Sequence, residues 1–274
     1  LHGIPIMLKD SIDTGDKQHT TCGSAALKDH YAADDAFIVK KLREAGAIIL
    51  GKNNLSEYYG FVSTTSPNCY SGIMNGSPAN PFGTEEMKLK PGGSSGGSAV
   101  SVAADFTAAA IGTDTAGSIF EPACFNGVVG YKPTVGLVSR SGILPVLMCQ
   151  DVPGPITRSV RDAALIANII ILRDPEDHDT FRAEELADID LTDDLENANL
   201  TGARLGIVKR GYMERMKPDE AEVIETALDI LREAGTDIVD VEGFLHAEAL
   251  EAPDRYKERL NDTVMCDGFK VRLG

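Results

Sequence analysis

Arg204-Leu-Gly-Ile-Val-Lys209 is a short, largely apolar run, and Asp237-Ile-Val-Asp-Val241 is a second one. Between them Pro218 stands where a helix would begin, Ile224, Ala227, Leu228 and Leu231 share one helical face, and Gly235 supplies the stop. A strand, a helix and a strand in succession define the class as α/β. The same alternation extends toward the start of the chain. Gly3-Ile-Pro-Ile-Met-Leu-Lys9 forms a strand pattern that delivers Lys9 at its end. Asp34 is the expected N-cap of a helix carrying Phe37, Ile38, Leu42 and Ala45, with Gly46 as its stop, and Ala47-Ile-Ile-Leu50 has the pattern of a buried strand.

Further on, residues 64–97 are rich in Pro, Gly, Ser and Asn and are expected to be loop. Ser98–Ala104 suits a helix, Phe106–Ile111 a strand, and Ser159–Leu172 a helix. The acidic run Asp174–Glu196 has the composition of a solvated connector, and from Glu242 onward the pattern turns helical and then loses its period.

Charge divides the chain. Of the net −16 over 274 residues, residues 1–173 carry 14 Lys and Arg against 15 Asp and Glu (net −1), and residues 174–274 carry 12 against 27 (net −15). This balance argues against nucleic acid and against an anionic membrane as partners. Chemistry is expected in the neutral, Gly- and Ser-rich first part. The five cysteines, Cys22, Cys69, Cys124, Cys149 and Cys266, are an odd number at wide spacings. They fit neither a disulfide framework nor a CxxC motif, which points to a reducing, cytoplasmic setting. The longest apolar stretch, Ala163–Leu172, is interrupted by Asn168 and is too short to span a bilayer. The chain opens Leu-His-Gly without an initiator Met, as an internal piece of a longer protein would.

Two stretches carry chemistry. Pro91-Gly-Gly-Ser-Ser-Gly-Gly-Ser98 holds four glycines around two serines, letting backbone and hydroxyls approach a reactive group closely; the alternative is a flexible linker. Gly112-Thr-Asp-Thr-Ala-Gly-Ser118 follows a strand candidate and offers successive N–H groups at Thr115, Ala116, Gly117 and Ser118, as an oxyanion hole requires; the alternative is a plain turn capped by Asp114.

Rival motifs fail on context. Gly93–Gly97 matches G-x-S-x-G with Ser95 as nucleophile, but Lys88-Leu-Lys-Pro91 is not the apolar strand that elbow needs. Gly46–Asn53 nearly spells a phosphate loop, yet Asn53 replaces the magnesium-binding hydroxyl and Ala47–Leu50 would bury the amides. No His or Cys spacing suits a metal, and Asp188, Asp190 and Asp193 lack the glycine and closing acid of a calcium loop.

Lys9-Asp10, Gly92-Gly-Ser-Ser-Gly-Gly97 and Gly112–Ser118 fall in the order and spacing of the amidase signature family, which this sequence resembles. Gly51-Lys-Asn-Asn-Leu-Ser-Glu57, Gly127-Val-Val-Gly-Tyr-Lys-Pro133, Ser139-Arg-Ser-Gly-Ile-Leu-Pro145 and Gln150-Asp-Val-Pro-Gly-Pro155 extend the resemblance through about residue 170. It implies a mixed sheet between helices, truncated here at both ends. Residues 1–173 would hold the catalytic core motifs, 174–203 the acidic connector and 204–274 a peripheral α/β part. It also implies hydrolysis of a carboxamide by a Ser–cis-Ser–Lys triad, with a small amide as substrate and no cofactor or metal. Carried over by position, Ser118 is the nucleophile, Ser94 the bridging serine after a cis peptide, and Lys9 the base. Ser95 and Asp114 support them, and the amides of Thr115 to Ser118 receive the oxyanion. Without the resemblance, Lys9 has the context of a surface lysine paired with Asp10 or Asp13. An exposed lysine is neutral only about one part in a thousand near pH 7, so the base role requires burial. Where the family has Gly-Gly-Ser-Ile-Arg, this chain has Ala116-Gly-Ser-Ile-Phe120. That departure supports the alternative of a catalytically degenerate, amidase-like scaffold or binding protein.

Overall fold

A computed structural model describes residues 1–61, 76–193, 195–209, 213 and 216–241. The chain forms two compact units divided at Asp193/Asp194. The first holds a five-stranded sheet in the order β2-β1-β3-β5-β4. Its strands are β1 (Pro5–Lys9), β2 (Ile48–Asn53), β3 (Ala109–Asp114), β4 (Val129–Gly130) and β5 (Val152–Thr157). β1 pairs parallel with β2 and β3, while β5 pairs antiparallel with β3 and β4, so the sheet is mixed. The helices are α1 (Phe37–Glu44), α2 (Gly96–Ala103), α3 (Phe120–Phe125) and α4 (Val160–Ile170).

Strand alternation decides which side of this sheet does chemistry. Ile6 and Leu8 are fully buried with Ile38, Leu42, Ile166 and Ile170, contributed by α1 and α4. Met7 instead packs with Ala99, Val102, Ala110, Ile119 and Ile156 on the side of α2 and α3. Successive strand residues point to opposite faces, so Lys9 follows Met7 toward α2. The glycines that open α2 let that helix come close. A Cβ on Gly97 would lie 2.3 Å from Asn54 O, and the Gly97 amide donates to the same oxygen at 3.0 Å.

Several sequence expectations need correction. Helix α1 begins two residues later than expected, with Ala36 rather than Asp34 at its N-cap, while Gly46 does end it in the left-handed region (φ 87°). Asp34 accepts from the Asp35 amide and pairs with Lys40 instead. The strand expected to be buried at Ala47–Leu50 is half exposed. Among the described residues β2 has one neighbouring strand, and Ile48 and Leu50 stand 53% and 54% exposed. β3 starts at Ala109 rather than Phe106, because Asp105 turns the chain through a left-handed conformation (φ 61°). The N-cap of α4 is Ser159, whose hydroxyl accepts from the Asp162 amide as a capping serine does.

The acidic run is not uniformly solvated. Asp174 and Asp177 are buried: Ser139 Oγ donates to Asp174 at 2.5 Å, and the Arg140 amide and Nε donate to Asp177 at 2.9 and 2.8 Å. A run of acids shows its charge in the sequence but not a cation more than thirty residues away. Residues 174–193 therefore fold with the first unit.

In the second unit, β6 (Arg204–Val208) and β7 (Asp237–Val241) form a parallel pair joined by α5 (Pro218–Glu233), which has Pro218 in its first turn. Of the expected apolar face of α5, Leu228 is buried and Ile224 is exposed. The helical reading beyond Glu242, and part of the 64–97 loop, lie outside the described residues; residues 76–95 carry no helix or strand. Among the described residues no helix is long and apolar enough to cross a membrane.

Candidate active site

Lys9, the last residue of β1, is fully buried. Its Nζ lies 2.7 Å from Ser94 Oγ, 2.8 Å from Thr113 Oγ1 and 3.3 Å from Thr113 O. The Tyr59 ring covers the amine, its centroid 4.9 Å from Nζ. Burial lowers the lysine pKa to about 7, against weaker upward pulls from Asp114 and Asp151. Lys9 is thus not a surface lysine paired with Asp10 or Asp13. Asp10 is engaged elsewhere, accepting from the hydroxyl and amide of Thr21.

Ser94 and Ser95 sit where the glycine-rich loop meets α2, and both are buried. The Gly93–Ser94 peptide is cis, as the resemblance implies. The Ser94 carbonyl accepts from the Ser56 amide at 3.2 Å. Ser95 binds the loop to β3: its hydroxyl donates to Thr113 O at 3.1 Å and accepts from Thr113 N at 3.2 Å. That contact needs a glycine opposite, since a Cβ on Gly112 would lie 2.9 Å from Ser95 Oγ. Ser95 is fully buried and doubly engaged, which also removes it as the nucleophile of a G-x-S-x-G elbow.

The turn after β3 carries the remaining expected residues. Asp114, buried at its head, accepts from Gly117 N at 2.9 Å and Ile119 N at 2.7 Å. The Gly117 amide, one of the four expected oxyanion donors, thus donates to a carboxylate. Ala116 keeps out of the left-handed region, so its side chain is tolerated in place of glycine. Phe120 is exposed at the start of α3 and makes no charged contact with Asp114. Ser118 is partly exposed, and its carbonyl accepts from Ser95 N at 3.3 Å. Its hydroxyl makes no hydrogen bond to Ser94 or to any other described residue. The structure therefore links Lys9 to Ser94 through side chains, and Ser118 to the serine loop through backbone.

Three participants escaped the sequence reading. Thr113 is the hub for both Lys9 and Ser95, and it stood unremarked inside the quoted Gly112–Ser118 stretch. Tyr59 lies just beyond the Gly51–Glu57 run; it donates through its hydroxyl to Leu144 O. Cys22 is buried beside Lys9, and burial pushes its thiol up to about 12, so it stays protonated. Tyr59, Thr113 and Thr115 line a cavity together with Leu144, Val146 and Asp151. Among the described residues no group of three or more His, Cys, Asp or Glu could hold a metal ion.

The chain belongs to the amidase family, whose model matches residues 1–258. It is 46% identical over 213 residues to an Arabidopsis thaliana protein named as a probable amidase, covering 77% of this chain and 40% of that one. It is 41% identical over 242 residues to a glutamyl-tRNA(Gln) amidotransferase subunit of Lawsonia intracellularis, covering 88% and 47%. The solved peptide amidase of Stenotrophomonas maltophilia superposes with a TM-score of 0.81 at 44% identity, over 88% of this chain and 48% of that chain. The corresponding glutamyl-tRNA(Gln) amidotransferase subunit of Thermotoga maritima does so with a TM-score of 0.82 at 33% identity, over 99% and 56%. The chain thus spans somewhat under half the length of these curated relatives.

Proposed function

We propose that this protein hydrolyses a carboxamide C–N bond through an acyl-enzyme on Ser118. The observation that carries this reading is the 2.7 Å contact between Ser94 Oγ and a fully buried Lys9 whose pKa lies near 7. About half of such lysines are neutral at pH 7, a base roughly a thousand times more abundant than an exposed lysine supplies. Lys9 takes the Ser94 proton as Ser94 Oγ takes that of Ser118, and Ser118 Oγ bonds to the amide carbon. The oxyanion rests on the amides of Thr115, Ala116 and Ser118; Gly117 instead fixes the turn through Asp114. The C–N bond then breaks, Lys9 returns its proton through Ser94 to the departing amine, and water releases the acid by the same path.

Small amides fit this chemistry. The acidic balance offers no face for RNA. Residues 1–173 carry the catalytic motifs. The odd, widely spaced cysteines favour the cytoplasm.

The test is intact-mass labelling by a serine-reactive fluorophosphonate. One adduct per chain, lost in Ser118→Ala, supports the reading. Labelling that persists in Ser118→Ala refutes the nucleophile, and a folded protein that takes no label is instead the degenerate scaffold to which Phe120 points.

A further inference from the structure

The Gln150–Pro155 motif contains an acid that the proton path does not use. Asp151 immediately precedes β5, and because Asp114 pairs with Val152, antiparallel register sets Asp151 beside Thr115. Its two oxygens face two different segments. Oδ1 accepts from Thr115 Oγ1 at 2.5 Å, and Oδ2 accepts from the amides of Val146 and Leu147, each at 2.8 Å. The 144–151 segment is itself anchored at its other end to the lysine side of the site. Leu144 N donates to Ser11 O at 3.0 Å, and Leu144 O accepts from the hydroxyl of Tyr59, the ring that covers Lys9.

We propose that Asp151 is a positioning residue that clamps Thr115, and with it the oxyanion-binding turn, to the segment that also anchors Tyr59 over Lys9. The inference rests on the proposed acyl-enzyme chemistry. A carboxylate suits the place because all three of its partners are donors: one hydroxyl and two amides. The far end of the turn is held by Asp114 and by the Ser95 amide on Ser118 O. Asp151 fixes its near end at Thr115, on the flank that faces the cavity. The Thr115 side chain thus sets the direction of its own amide, and a hydroxyl is required there for reasons separate from packing.

The experiment measures fluorophosphonate labelling of Ser118 in the full chain, as a rate constant and as an end-point adduct count. The count reports how many chains carry a competent site, and the rate reports how well that site stabilises the phosphoryl oxygen. Thr115→Val removes the hydroxyl at nearly constant volume, and Asp151→Asn removes the charge. Each is expected to lower the rate about ten- to a hundredfold while the count stays at one per chain. Thr115→Ser restores most of what Thr115→Val loses, and the double variant is no slower than the slower single one, since both break the same contact. A lower count with an unchanged rate per competent site marks Asp151 as merely structural and overturns the proposal. So do unchanged rates in Thr115→Val, a variant that keeps the falsification open if Asp151→Asn does not fold. If the unsubstituted protein takes no label, the acyl-enzyme reading fails and the clamp falls with it.

Discussion

Replacing Lys9 with methionine should make the protein more tolerant of neutral pH, by an amount the structure fixes. The unfolded lysine titrates near 10.4, and the folded one near 7 because burial disfavours its charged form. Between about pH 7 and 10.4 the unfolded chain binds more protons at this position than the folded one, so stability rises with pH across that window; below about 7 the penalty is constant and largest. Linkage puts the penalty at about 4 kcal/mol at pH 7 and about 2 kcal/mol at pH 9. Lys9→Met removes it at every pH. The variant also leaves Ser94 Oγ and Thr113 Oγ1 without the amine, at a cost that does not depend on pH. Burial keeps Cys22 protonated in both folded proteins up to pH 9, so the opposite trend it imposes comes from the unfolded chain and is the same for both. The measurement is urea unfolding of both proteins at pH 7 and pH 9. The stability of the unsubstituted protein, relative to Lys9→Met, should rise by about 2 kcal/mol between the two. A difference that stays constant with pH would refute the buried, deprotonating lysine and with it the proposed base.

Two packing contacts give further checks. Asp177→Ala leaves the buried Arg140 guanidinium with the more exposed Asp179 as its remaining ion-pair partner, and should cost about 3 kcal/mol, seen as a lower thermal midpoint. An unchanged midpoint would mean that the guanidinium is readily resolvated. Gly97→Ala puts a methyl 2.3 Å from Asn54 O and should cost about 1–3 kcal/mol, with slower labelling of Ser118 as the Ser94 loop is displaced. Labelling at the original rate would show that α2 can shift without disturbing the proton path.

What could be foreseen follows how local each signal is. Helix α4, the glycine stop of α1 and the β6–α5–β7 unit are written in neighbouring residues, and they form near where the pattern puts them. β2 departs from the buried strand expected because an apolar run is the same in a central strand and at an edge; only the strand order, β2-β1-β3, exposes Ile48 and Leu50. The acidic run departs from a solvated connector because its partners, Ser139 and Arg140, lie 35 to 39 residues upstream. In the site, the serines and the lysine could be located from motifs. Thr113 and Asp151 act through a neighbouring strand and a distant turn, which spacing along the chain does not reveal.

The electrostatics of Lys9 show why those unforeseen contacts matter. Asp114 and Asp151 are near enough to pull its pKa upward, and a direct ion pair with either would hold the amine charged and useless as a base. Neither pairs with it. The carboxylate of Asp114 is turned to the amides of Gly117 and Ile119, and that of Asp151 to Thr115, Val146 and Leu147. The partners left to Lys9 are two hydroxyls and a carbonyl, none of which carries a full charge, under an aromatic ring. Desolvation therefore outweighs attraction, and the lysine stays near neutrality. The hydrogen bonds that shape the turn thus also keep two acids from the base, so a substitution that freed either carboxylate would raise the Lys9 pKa as well as loosen the turn.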